Sequence, residues 1–147
     1  MSDLYDADIL EWSKHQAALL RRLAAGERGV NDQVDWGNVI EEVESVGRSQ
    51  LSTVRSHIIQ AFLHDLKAEA LPSARDVPHW RTEAKRHRIE AAEAYAPSMR
   101  QKIDIADLYA KALNLVPETM DAQAPPPMPV TCPVTLDEII RRGQDGG

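Results

Sequence analysis

The sequence has a single cysteine, Cys132, among 147 residues. An internal disulfide is therefore excluded, in keeping with a reducing compartment, and the fold has to rest on packing. Long apolar runs are also missing: no stretch approaches the roughly 20 residues of a membrane-spanning helix. Aromatic residues are few, with three Trp, three Tyr and one Phe. β-Branched runs are scarce, while Ala, Leu, Glu, Arg and Gln, which favour helix, are plentiful. Positive charge is in deficit, with 17 Lys and Arg against 23 Asp and Glu, a net charge of −6. Such a chain lacks the cationic surplus that supplies most affinity for phosphate backbones, so nucleic acid is not the expected partner. The opening Met1-Ser2-Asp3-Leu4-Tyr5-Asp6 has neither the basic nor the apolar part of a signal peptide. A cytoplasmic location without membrane attachment is expected. No glycine-rich phosphate loop is present.

Apolar spacing predicts a series of helices. The first covers residues 6–25, with Tyr5, Ile9, Trp12, Leu19, Leu20 and Leu23 on its stripe. Asp3 or Asp6 would cap its start and Gly26 and Gly29 would end it. Asp35 would cap a second helix whose apolar face is Trp36, Val39, Ile40, Val43 and Val46. Gly47 would kink or end it. A third helix is expected over residues 48–70, then a loop with two prolines over 71–78, and a fourth helix over 79–95. Beyond Pro97, residues 98–115 are apolar on more than one face and read as the most enclosed helix. Five prolines within residues 123–133 exclude regular structure and predict an extended strap. Thr135 and Glu138 then fit a capping box that opens a short last helix, with fraying from residue 144 onward. The expectation is one all-α domain over residues 1–147: a compact bundle of about five helices with a proline-rich C-terminal strap and a short final helix. Trp12, Leu19, Leu23, Trp36, Ile40, Val43, Ile58, Phe62, Leu66, Trp80, Ile103 and Leu113 are its expected core. On that reading Trp36→Ala would cost about 3–5 kcal/mol.

The run Asp35-Trp36-Gly37-Asn38-Val39-Ile40-Glu41-Glu42-Val43-Glu44-Ser45-Val46-Gly47-Arg48-Ser49 resembles the signature of domain-of-unknown-function family 29, small helical proteins of bacteria. Further pieces match in order: Trp12 with Gln16-Ala17 and Leu19-Leu20-Arg21, Leu63-His64 with Lys67, Trp80 with Arg88-Ile89, Pro97-Ser98, and Cys132-Pro133 with Thr135-Leu136. The resemblance spans nearly the whole chain and implies a compact helical fold. It carries over no functional residue. Two positions depart from the pattern it implies: Asp65 replaces an expected apolar residue, and His87 stands in a stretch expected to be basic.

Four groupings could carry chemistry. Glu41, Glu42 and Glu44 border the apolar stripe of the second helix, where carboxylates can grip a partner's arginines or hold a metal. The structural alternative is preferred: Glu44 pairing with Arg48 at i, i+4, and Glu42 accepting from an indole N–H or a helix end. Glu11/His15 and Glu83/His87 each place a carboxylate and an imidazole one turn apart, and would form a metal site if their helices were neighbours. Glu90 extends the second grouping by a turn. The spacing differs from the Glu-x-x-His of carboxylate-bridged bundles, so helix-surface pairs are the plainer reading. His57 and His64 lie along one edge of a helix about 10 Å apart, too far for one ion without help from elsewhere. Arg81, Lys85, Arg86 and Arg88 form a basic set, read as a solvated face or as ion pairs with the acidic second helix. Arg81 with His87 also has the spacing of a short ribonuclease motif, which is nearly uninformative. Cys132 reads as a structural thiol rather than a nucleophile.

With no complete catalytic constellation, the favoured expectation is a non-enzymatic protein-binding or regulatory module without a cofactor. Glu41, Glu42, Glu44 and Arg48 would face a protein partner or a second copy of the chain. The alternative is a metal-dependent hydrolase using Glu11, His15, Glu83 and His87, or a small helical ribonuclease.

Overall fold

A computed structural model of the chain describes residues 2–117 and 125–146. Among them the regular structure is all helical, as the apolar spacing predicts. Six α-helices follow in order: α1 (Ser2–Ala7), α2 (Ile9–Ala24), α3 (Trp36–Ala70), α4 (Val77–Ala94), α5 (Ile105–Leu115) and α6 (Leu136–Gln144). Short 3-10 segments occupy Asn31–Gln33 and Pro97–Lys102. The chain forms two compact units, Met1–Arg48 and Ser49–Gly147. Among the described residues no helix is long and apolar enough to cross a membrane.

In the first unit the expected opening helix is split at Asp8. Its carboxylate accepts from the Glu11 amide at 2.9 Å and starts α2, so Asp8 and not Asp3 or Asp6 is the cap. Gly26 and Gly29 adopt φ of +87° and +84° and turn the chain after α2. Leu19, Val30 and Val34 form a small core with Leu20, Leu23 and Val39 against it. A polar network closes the α2–α3 corner. The Trp12 indole donates to Asp35 Oδ2 at 3.1 Å, the Asn38 amide donates to the same oxygen at 2.8 Å, and buried Gln16 accepts from the Asp35 backbone N–H at 2.8 Å. These bonds, Asn38 first and Trp12 next, hold the Asp35 carboxyl below the usual range.

Gly47 does not end the helix: α3 runs unbroken through it. A lone exposed glycine costs only about 1 kcal/mol of helix propensity, less than the packing of a helix 35 residues long can offset. Three expected core residues are exposed: Trp36, Ile40 and Val43. Helical spacing shows that α3 has an apolar face there, but only Val39, at the edge of that face, packs on the small core.

The main core lies in the second unit. Val54, Ile58, Phe62 and Leu66 of α3 meet Leu108, Tyr109 and Ala112 of α5 and Leu136, Ile139 and Ile140 of α6. Phe62 and Tyr109 meet edge to face with ring centres 5.2 Å apart. Ile103 and Met99 are buried, and Leu23, Trp80 and Leu113 are half-buried. Residues 98–115 are not one helix. A 3-10 segment ends at Lys102, and Asp104 restarts the chain as α5 by accepting from the Asp107 amide at 3.3 Å. Nor is α5 enclosed all round, since Ala106 and Leu115 are exposed.

Residues 125–134 of the strap form no regular structure, and Tyr109 donates to the Pro129 carbonyl at 2.7 Å. Residues 123 and 124 of the expected strap lie outside the described residues, as does Gly147. Thr135 caps α6 by accepting from the Glu138 amide at 3.2 Å. Helix α6 lies on α4 at Gly143, where an added Cβ would stand 2.1 Å from the Arg88 carbonyl oxygen and 2.7 Å from the Ala92 Cβ.

Two stability outcomes follow from this packing. Trp12→Ala should cost about 3–5 kcal/mol, the range for deleting a buried aromatic. Trp36→Ala should cost about 1 kcal/mol, the worth of the bond from its indole to the Asn31 carbonyl. Equal denaturant midpoints for the two variants would contradict this assignment. Gly143→Ala should lower stability by at least about 1–3 kcal/mol, as overpacking does, whereas Gly47→Ala should not lower it.

Candidate functional site

The second half of α3 and the facing side of α4 bring five metal-ligating side chains together. His57 and His64 are two turns apart on α3, and Glu83, His87 and Glu90 share one face of α4. His87 enters between the two α3 histidines. Its Nδ1 lies 2.9 Å from His57 Nδ1, which is also 3.1 Å from Glu90 Oε2. On the other side the His64 and His87 rings are stacked, 8° apart in tilt, with centres separated by 5.8 Å. His87 Nε2 lies 3.8 Å from Glu83 Oε2, and His64 Nδ1 is buried with no hydrogen-bond partner. Two triads result, His57/His87/Glu90 and His64/Glu83/His87, each with its ligating atoms within 4.8 Å of one another.

The surroundings of His87 and His64 disfavour their charged forms. Burial lowers the basicity of His87, and the Arg86 charge lowers it further. Burial also lowers that of His64, with Lys67 adding to the effect. Arg86 bridges the two carboxylates, donating to Glu83 Oε2 at 2.7 Å and Glu90 Oε1 at 2.9 Å. Its bond holds Glu83 below the usual carboxyl range.

Beside this cluster, Asp65 of α3 accepts from Arg81 at 3.0 Å and from Arg88 at 2.8 Å, both on α4. Arg81, Arg86 and Arg88 of the basic set are thus tied to Asp65, Glu83 and Glu90. A cavity of about 180 Å³ adjoins the pair, bordered by Asp65, Leu66, Arg88, Tyr109, Pro133 and Arg142.

The model of the family described as "Domain of unknown function DUF29" matches residues 4–143. The chain belongs to this family. It is also similar to the crystal structure of an alpha-helical protein of unknown function from Rhodospirillum rubrum. The two are 27% identical with a TM-score of 0.65, over 92% of this chain and 88% of that one. A search of curated proteins finds no match.

In this DUF29 chain the acidic run of the first unit is largely occupied by its own neighbours. Tyr5 donates to Glu42 Oε1 at 2.5 Å, and that bond raises the Tyr5 pKa above its ordinary value. Glu42 therefore takes a phenol rather than an indole or a helix end. Arg48 pairs with Glu41 at 2.5 Å, two turns away, and not with the expected Glu44. Glu44 is exposed. Of the four residues in the expected metal set, Glu83 and His87 come together, while Glu11 and His15 are exposed on α2 of the first unit. The residues that join Glu83 and His87 are His57, His64 and Glu90. The signal for them was in the sequence: the seven-residue histidine spacing on α3 matches the seven-residue carboxylate spacing on α4. Cys132 is half-buried and donates weakly to the Val134 carbonyl at 3.2 Å, in line with a structural thiol.

Removing the carboxylate between Arg81 and Arg88 should be costly. Asp65→Ala is expected to destabilise the chain by about 3 kcal/mol, the lower end for breaking a buried pair, since Arg81 is exposed. Asp65→Asn should cost less. Thermal denaturation of the two variants tests this, and an unchanged midpoint in both would show the pairs to be incidental.

Proposed function

We propose that the chain is a protein-binding module whose docking face is the exposed apolar stripe at the start of α3. The observation that carries this reading is the exposure of Ile40, Val43 and Val46, at 54%, 69% and 70%, with Trp36 beside them at 41%. These residues share one helical face about 15 Å long. An apolar patch rimmed by polar residues is characteristic of an interaction surface. Glu44 borders the stripe on one edge, next to the Glu41–Arg48 pair, and Glu42 borders it on the other. A complementary occupant is a partner helix with its own apolar stripe and basic residues along its flanks, which this acidic rim would orient.

Glu41, Glu42 and Arg48 therefore shape the rim, and Glu44 offers the carboxylate for a partner's cation. A second copy of the chain fits less well, because a like acidic rim would face this one.

The test uses a partner identified by capture on the tagged chain and then re-bound as purified protein. Val43→Asp and Glu44→Lys change exposed positions and should leave the thermal midpoint in place. Each should weaken partner binding at least about tenfold, as loss of a central contact does. Undiminished binding in both variants would overturn the reading. Self-association abolished by Val43→Asp would reassign the face to a second copy.

A further inference from the structure

We propose that His57, His87 and Glu90 hold one divalent transition-metal ion between α3 and α4. Bonds of about 2.0–2.1 Å from a tetrahedral ion place neighbouring ligand atoms about 3.3 Å apart. The two shortest edges of the triangle, 2.9 Å between the Nδ1 atoms and 3.1 Å from His57 Nδ1 to Glu90 Oε2, are close to that spacing. All three ligand atoms lie within 4.8 Å of one another.

The proton count points the same way. Arg86 Nη2 lies 3.2 Å from His87 Nε2 and can only donate. If His87 accepts there, its proton sits on Nδ1 and is given to His57 Nδ1. His57 then presents a bare lone pair to the Glu90 carboxylate. If His57 instead gives its Nδ1 proton to Glu90, His87 Nδ1 can accept from it, but His87 then carries its proton on Nε2, against an arginine N–H. No pair of neutral tautomers satisfies all three contacts. A cation inside the triangle takes the lone pairs of both Nδ1 atoms and of Glu90 Oε2 together, and Arg86 then gives up its contact with His87. Arg86 is 48% exposed and has room to do so. His87 then keeps its proton on Nε2, facing the Glu83 carboxylate 3.8 Å away. A small approach of Glu83 makes it the outer carboxylate partner typical of a metal-bound histidine.

The ligand set selects the metal. Two imidazoles and one carboxylate suit zinc, cobalt, nickel or iron(II) and disfavour magnesium and calcium, which require oxygen ligands. Three protein ligands leave one position open for water. The second triad is wider, with His87 Nε2 3.8 Å from Glu83 Oε2, and serves less well as a primary site.

The experiment uses the full chain purified without an immobilised-metal column, stripped with chelator and checked for helicity by circular dichroism. Cobalt(II) is titrated as a visible probe, followed by competition with zinc and by thermal denaturation. One equivalent of cobalt should bind, with the intense visible bands of a low-symmetry nitrogen–oxygen site, and zinc should displace it. The midpoint should rise with free metal concentration. His57→Gln and Glu90→Gln preserve size and hydrogen bonding, and each should weaken binding at least about tenfold. His15→Gln, on α2, should leave it unchanged. Cobalt that fails to saturate below millimolar concentration overturns the proposal, as does binding that survives intact in both folded variants at the triad. Tight magnesium or calcium binding with no cobalt spectrum also overturns it.

Discussion

One carboxylate sets the register of the two helices on which the histidine cluster depends. Asp65 follows His64 on α3 and takes Arg88, the neighbour of His87, from α4. It also takes Arg81, two turns earlier on α4. With both arginines on one aspartate, α4 cannot slide along α3 by a turn without breaking two charge-assisted bonds. That register places His87 between His57 and His64. Burial lowers the Arg88 pKa, and the adjacent Asp65 offsets part of that effect. The pair therefore does more to fix geometry than to add net stability, as is usual for desolvated ion pairs.

The opposite side of α4 is held by shape. Gly143 brings the α6 backbone against the Arg88 carbonyl and Ala92, half a turn round the helix from Glu83, His87 and Glu90. The Thr135 cap and the burial of Leu136, Ile139 and Ile140 fix α6 in turn. Helix α4 is thus packed from behind and paired in front. Its half-buried carboxylates and exposed arginine can rearrange without moving the backbone, which is what a ligand-binding cluster requires of its scaffold.

Helical periodicity made most of the fold legible, because a 3.6-residue repeat records which face of each helix is apolar. It does not record what covers that face. Trp36, Ile40 and Val43 follow the same rule as Ile58, Phe62 and Leu66, yet the first set is exposed and the second lies in the main core. Punctuation by single residues was read less well. Gly47 was taken for a break because it lacks helix propensity, although long-helix packing outweighs one exposed glycine. Asp104 lies inside the span 98–115 expected as one helix, yet its side chain restarts the chain as α5. Asp8 does the same for α2.

The site was legible in its parts and not in its assembly. His57 and His64 looked too far apart to act together, and within α3 they are. Glu83 and His87 looked like an ordinary i, i+4 pair, and within α4 they are that too. What joins them is the interhelical register, which depends on the Asp65 pairs and on the close approach at Gly143. Neither has a signature in the spacing of one helix. The two positions that departed from the expected family pattern, Asp65 and His87, belong to this one interface. An aspartate in an apolar stripe is costly unless cations reach it, and an imidazole in a basic stretch is shielded unless carboxylates flank it. Here each departure supplies the physical condition for the other: Asp65 positions α4, and α4 carries the histidine that Glu83 and Glu90 flank.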